Sequence, residues 1–234
     1  MPYRSRSPIR RFVLYCLLTL DRWGGSSSRR TRDSSLDNLK PPRWDVSDLP
    51  RFEKVFYKEH PAVSNRPQEE IDRFREENRM TLSGRDVPRP VFDFNEVNLP
   101  SYVVDAFNRA GWASPTPIQS QGWPMVLSGR DVVGIAQTGS GKTACYLVPA
   151  LVHIEAQSRL LRDDGPICLV LVPTRELAQQ VIQVAEQFCS AGRLKTVCLY
   201  GGAPKVPQHR ELQRGAEVCV ATPGRLLDFL KTKA

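Results

Sequence analysis

A parallel α/β fold, with its sheet covered by helices on both faces, is what this sequence predicts, and two observations carry it. Short apolar runs at 132–135, 167–172, 197–200 and 218–220 alternate with helical patterns at 142–157, 176–190 and 208–213, and a last helix opens after Pro223. Strands that are apolar throughout and separated by helices belong to sheets buried on both sides. The second observation is the stretch AQTGSGKT at 136–143, which follows the first apolar run and opens the first of these helices. Strand, glycine-rich turn and helix in that order build a phosphate cradle.

The chain begins differently. Its 234 residues are 41% hydrophobic and 25% charged, the balance of a globular chain with a real core. Six of its eight net positive charges fall in residues 1–45, a stretch rich in Arg, Ser and Pro with Gly24 and Gly25 at its middle. That composition predicts a basic, disordered tail. Such tails either stay solvated or are drawn to nucleic acid or an anionic surface. Within the tail, Arg10 and Arg11 precede a nine-residue apolar run at 12–20. It overlaps the pattern of a secretory signal, but it is too short to span a bilayer and no small-x-small cleavage site follows. A short tail segment is the preferred reading, with no membrane partner.

Residues 46–90 read as a partly ordered extension rather than a domain. Trp44, Leu49, Phe52, Val55, Phe56 and Tyr57 bring apolar side chains, and Pro67 precedes a charged helical pattern at 68–79. From 91 onward the alternation of strands and helices takes over, making 91–234 the folded lobe.

In such a sheet ligands bind where the strands end. Ala136, Gln137, Thr138, Gly139, Ser140, Gly141, Lys142 and Thr143 stand at such an end. Gly139 and Gly141 let backbone N–H groups approach phosphate oxygens with no Cβ in the way, and the helix dipole adds favourable charge. Lys142 would reach the outer phosphates and the Thr143 hydroxyl would bind Mg²⁺, which makes the class that of P-loop NTPases. Ala136 stands where the usual pattern has Gly, a departure that leaves the phosphate-facing glycines intact.

Upstream lies GWASPTPIQ at 111–119, with Trp112 and Pro117, and Phe94 precedes it. The Gln119 amide has a donor and an acceptor that can pair the N6/N7 edge of adenine, and an aromatic ring can stack on the base. A glutamine after a Pro-x-Pro turn is equally a helix-start residue. Downstream, Arg175 with Glu176 could form a local ion pair at a helix start, and Pro223 with Gly224 a plain turn.

Taken together, Phe94 with GWASPTPIQ, then AQTGSGKT, then PTRELA at 173–178, Gly201 with Gly202, and TPGR at 222–225 resemble the first RecA-like lobe of a DEAD-box RNA helicase. WDVSDLP at 44–50 and FYKEHP at 56–61 are similar to the leader of a mainly nuclear subgroup of that family. The resemblance implies ATP as cofactor, with Mg²⁺. It implies that Gln119 reads adenine, that Phe94 stacks nearby with Trp112 and Pro117 in the same segment, and that residues 136–143 hold the phosphates. It implies a single RNA strand held by its backbone on Pro173, Thr174, Arg175, Glu176, Gly201, Gly202, Thr222, Pro223, Gly224 and Arg225. Ribonucleoprotein partners and a location in the nucleus, and also the cytoplasm, follow from the same resemblance. The charges, hydroxyls and glycines of these motifs suit backbone contact, and their few aromatics argue against base stacking.

A P-loop hydrolase also needs a carboxylate at a neighbouring strand end. The runs at 167–172, 197–200 and 218–220 lead into Pro173, Gly201 and Ala221 with Thr222, none of them acidic. In the resembling family that carboxylate comes on the next strand, past Ala234. The expectation is therefore an incomplete lobe, inactive as a 234-residue polypeptide, with an unpaired sheet edge and uncovered apolar faces. A second reading is a non-catalytic nucleotide- or RNA-binding competitor.

Nothing else builds a site. His60, His153 and His209 are scattered without metal-ligand spacing, and Asp163 with Asp164 reads as a solvated turn beside Gly165. The six cysteines lack C-x-x-C spacing, and Cys145, Cys168, Cys198 and Cys219 lie in apolar runs, which predicts reduced, buried thiols.

Overall fold

The computed structural model describes residues 12–13, 52–161 and 164–231. Four strands, β1 (Phe12–Val13), β2 (Cys168–Leu171), β3 (Thr196–Leu199) and β4 (Val218–Ala221), form one sheet in the order β1-β2-β4-β3. Every neighbouring pair is parallel, with Cys168 and Thr196 both opposite Val218. β4 is buried along its whole length, as the continuous apolar run VCVA requires. Its side chains divide by the strand period of two: Val218 and Val220 enter one core, Cys219 and Ala221 the other.

The larger core lies under α3 (Ser101–Arg109), α4 (Pro117–Leu127), α5 (Lys142–Glu155) and α6 (Arg175–Cys189). The smaller one packs Val197, Leu199 and Phe229 beneath α8 (Pro223–Lys231), with Leu212 of α7 (Lys205–Gln213) beside it. The expected parallel sheet flanked by helices is therefore present. α7 starts a turn earlier than the sequence pattern at 208–213, because Pro204 and Pro207 suit a first helical turn, where no backbone donor is needed.

One expected element is corrected. Residues 132–135 form no strand; Val133 and Ile135 are 73% and 72% exposed. Burial alternates along 131–137 with the period of an extended chain, but no strand among the described residues bonds to it. Apolar, β-branched sequence favours extension, yet a strand exists only through its ladder partner.

The extension is bound to the lobe more tightly than its composition suggests. Phe56 and Tyr57 donate their backbone N–H groups to the Leu127 carbonyl at the end of α4, at 2.7 and 3.0 Å. After α1 (Pro61–Ser64), the Arg66 guanidinium enters a buried ion pair with Glu96, donates to the Pro90 carbonyl at 3.0 Å and stacks on Phe92 at 3.8 Å. From α2 (Gln68–Glu77), Arg75 donates to Gln121 of α4, which in turn donates to the Pro88 carbonyl at 2.8 Å. Arg89 donates to the carbonyls of Ser64 and Arg66 at 3.1 and 2.7 Å.

Of the tail, only Phe12 and Val13 are described, as a strand where the sequence pattern placed none, pairing with Cys168 and Leu169. The remainder of the apolar run 12–20, the rest of residues 1–45, Trp44 and Asp163 lie outside the described residues. No helix among the described residues is long and apolar enough to cross a membrane. Asp164 closes a turn by accepting from the Leu161 N–H at 2.7 Å.

Candidate functional site

The glycine-rich stretch forms a turn ahead of α5. Gly139 and Gly141 adopt φ of +78° and +88°, the left-handed region that favours glycine. Gly141 is fixed by a second constraint: a Cβ there would stand 2.5 Å from Gln119 Nε2 and 2.8 Å from Thr116 Oγ1. Lys142 folds back to donate to the Ala136 and Gln137 carbonyls. The ammonium thus sits at the mouth of the turn, where a phosphate could exchange for those carbonyls.

Gln119 is 1% exposed and uses both ends of its amide. Oε1 accepts from the Thr116 N–H at 3.1 Å, satisfying a donor at the start of α4, and Nε2 donates to the Gly141 carbonyl at 3.1 Å. α4 and α5 are joined twice more, by Trp123 Nε1 to the Ala144 carbonyl at 3.2 Å and by Cys145 Sγ to the Ile118 carbonyl at 3.2 Å. Pro117 is the first residue of α4.

Phe94 and Trp112, the two aromatics expected near the base, pack against the larger core. Phe94 is 8% exposed and stacks on Phe107 at 4.5 Å, with Trp123 at 6.0 Å. Trp112 stacks on Phe107 at 5.2 Å and meets Phe188 edge-on. Both rings brace the cluster beneath α4 in this structure.

Mg²⁺ would find one fitting donor here. The Thr143 hydroxyl stands in the first turn of α5, and no group of three or more His, Cys, Asp or Glu side chains gathers among the described residues. That donor set suits an ion held largely by phosphate oxygens and water.

The second cluster lies at the carboxyl ends of β2, β3 and β4. Pro173, Arg175, Gly201, Thr222, Pro223, Gly224, Arg225 and Asp228 line one groove of about 520 Å³. Thr174 caps α6, its hydroxyl accepting from the Leu177 N–H at 3.2 Å. Arg175 does not turn to Glu176; it lies over the Tyr200 ring at 4.9 Å and donates to the Gly202 carbonyl at 3.4 Å. Gly202 has φ of +73°. The Thr222 N–H donates to the Leu199 carbonyl at 2.8 Å, which draws the start of α8 against the end of β3.

Arg225 is turned inward. Its two terminal nitrogens donate to Gln208 Oε1 at 3.3 Å and the Ala203 carbonyl at 3.0 Å, and Nε lies 3.9 Å from Asp228. Lys205 approaches the same carboxylate at 3.5 Å. Thr174, Glu176 and Gly202 stand beside the groove without lining it. Sequence reasoning missed Asp228, although its position three residues after Arg225 on a helix was a readable pairing signal. It also missed Gln208, which nothing in the local pattern marks.

Burial pushes the thiols of Cys168 and Cys189 up to about 12 and that of Cys198 to about 11. Of the four thiols expected in apolar runs, Cys168 and Cys219 are buried while Cys145 and Cys198 are only partly so; Cys189 is buried as well. His60 caps α1, His209 stacks on Phe229 at 6.0 Å, and His153 is buried against the edge of Phe56 at 4.6 Å.

Comparison with known proteins adds the following. The model of a family described as "DEAD/DEAH box helicase" matches residues 116–234. The ATP-dependent RNA helicase DBP2 of Chaetomium thermophilum is 57% identical over 194 residues, 83% of this chain and 35% of that protein. The probable ATP-dependent RNA helicase DDX17 of Homo sapiens is 55% identical over 212 residues, 90% of this chain and 29% of that protein. The chain thus spans about a third of the length of these curated relatives. Among solved structures, the yeast DEAD-box splicing factor Prp28 superposes with a TM-score of 0.69 at 28% identity, over 73% of this chain and 41% of that one. The RNA helicase Prp28 from Chaetomium thermophilum bound to ADP gives 0.68 at 36% identity, over 76% and 43%.

Proposed function

Because the chain belongs to the DEAD/DEAH box helicase family, we propose that it supplies the ATP-binding half-site and part of the RNA-gripping surface of an ATP-dependent RNA helicase. The observation that carries this is the convergence of three separate sequence motifs on one groove at the carboxyl ends of adjacent parallel strands. Glycines, hydroxyls and a lone outward arginine suit a sugar-phosphate backbone rather than base edges. The strand held would be single and its sequence immaterial.

Nucleotide would lie over the glycine-rich turn, with its base beside Gln119. Gly139, Ser140 and Gly141 offer backbone N–H groups, Lys142 leaves its two carbonyls for the outer phosphates, and Thr143 holds Mg²⁺. The ion would supply charge neutralisation of those phosphates. Gln119 would read adenine by exchanging one of its internal hydrogen bonds for the base edge. Phe94, Trp112 and Pro117 support α4, on which Gln119 stands.

Hydrolysis is a separate matter. The ends of β2, β3 and β4 lead into Pro173, Tyr200 and Thr222, which offer no carboxylate to orient water. Residues 1–234 alone are therefore proposed to bind without turning over. The leader's likeness to a mainly nuclear subgroup supports a location in the nucleus, in ribonucleoprotein company.

The test is a titration of the chain with labelled oligouridylate at several salt concentrations. Binding that weakens with salt and is weakened by Arg175→Ala supports the RNA face, and salt-independent or absent binding overturns it. RNA-stimulated ATP turnover by the purified 234 residues would overturn the assignment of binding alone.

A further inference from the structure

We infer that Gln208 is a positioning residue for the RNA face, holding the Gly201–Gly202 turn in register with Arg225; the inference rests on the RNA reading proposed above. Gln208 is a glutamine on α7, only 7% exposed, whose amide is spent on neighbours outside its own helix. Oε1 accepts from the Tyr200 N–H at 3.2 Å, and Nε2 donates to the Tyr200 carbonyl at 3.2 Å. A primary amide that takes both the N–H and the C=O of one residue imitates the next strand of a sheet.

The position explains the need. Among the described residues β3 is an edge strand, paired with β4 alone. The Leu199 carbonyl faces β4, where it accepts from Thr222, so the Tyr200 N–H and C=O turn to the open side. Buried peptide groups there would be costly without partners. Gln208 meets both, one residue before the two glycines.

The second lone pair of Oε1 then accepts from Arg225 at 3.3 Å, while the other Arg225 nitrogen donates to the Ala203 carbonyl at 3.0 Å. Tyr200 and Ala203, which flank the glycine pair, are thus tied to each other through Gln208 and Arg225. Two glycines have many conformations to lose on ordering, and Gly202 sits at φ of +73°. The closed ring of bonds removes that freedom before RNA arrives. Arg225 acts as a brace within the ring, and Arg175, bound to Gly202 from the other side, is the outward charge.

A brace and a phosphate contact differ in their salt response. Gln208→Met keeps the volume and abolishes the hydrogen bonds. Measured with labelled oligouridylate on the full chain, it should weaken binding about tenfold with the salt slope unchanged, because no released counterion is lost. Arg175→Ala should instead lower the slope by about 0.7, the value of one single-strand phosphate contact. Without RNA, amide exchange at 201–203 should quicken in Gln208→Met while α6 is unaffected, and ATP affinity should hold in both variants. Weakening by Arg175→Ala with none by Gln208→Met overturns the role of Gln208 alone. So does a slope that falls in Gln208→Met, or exchange that does not quicken. No weakening by either variant overturns the RNA reading and the inference with it.

Discussion

Gln119 Nε2 donates to the Gly141 carbonyl at 3.1 Å, across a gap that no Cβ could share. One buried side chain thereby satisfies the start of α4 and holds the last glycine of the phosphate turn. The start of α4 and the glycine-rich turn are coupled through a single amide, which on the proposed reading would link base reading to phosphate binding.

Gly141→Ala should therefore injure the site twice. Its φ of +88° costs a residue with a Cβ about 1–2 kcal/mol, and the new methyl would displace the Gln119 amide. A fall in melting temperature with ATP affinity reduced tenfold or more is expected by thermal shift and calorimetry. Retained affinity would show that the Gln119 contact is dispensable.

Gln119→Ala leaves the Thr116 N–H and the Gly141 carbonyl without their partner, at a cost of about 1–3 kcal/mol. Discrimination between ATP and GTP should shrink at the same time. Stability loss with unchanged discrimination would restrict Gln119 to a structural role.

Arg66 and Glu96 are both about nine-tenths buried, with side-chain exposures of 8% and 10%. Removing Glu96 leaves the buried Arg66 with only the half-exposed Glu70 carboxylate at 3.6 Å, so Glu96→Ala should cost about 3 kcal/mol in denaturant unfolding. The apolar pair Arg66→Met with Glu96→Leu should cost less than that single change. A double variant as unstable as the single would refute the stranded-charge account.

His153 is 1% exposed, and burial lowers its pKa below the ordinary 6.5. The unfolded chain then binds the proton more readily than the folded one. This contribution to stability is complete above about pH 6.5 and is lost as pH falls below it. Melting temperatures from pH 7.5 to 5 should decline, and His153→Phe should flatten the decline. An equal slope in the variant would assign acid sensitivity to other groups.

Much of this was legible in sequence because it is local. Apolar runs bounded by Gly or Pro gave β2, β3 and β4, and Gly-rich sequence before Lys142 gave the turn, since both depend on a few consecutive residues. Residues 132–135 failed as a strand because pairing is not local: identical apolar sequence without a ladder partner remains an exposed extended chain. Gln208 was invisible for a related reason. Its worth lies in reaching Tyr200 and Arg225, eight and seventeen positions away, across a fold that no periodicity reports.

The strap of Arg66 onto Glu96, and of Arg75 onto Gln121, redraws where a usable unit of this protein starts. A recombinant fragment cut at residue 91, the natural place by composition, would carry Glu96 into the interior with no cation and bare the α4 flank beside Gln119. Residues 52–90 belong in any expression boundary, and a phenotype from a lesion there should be sought first in nucleotide occupancy.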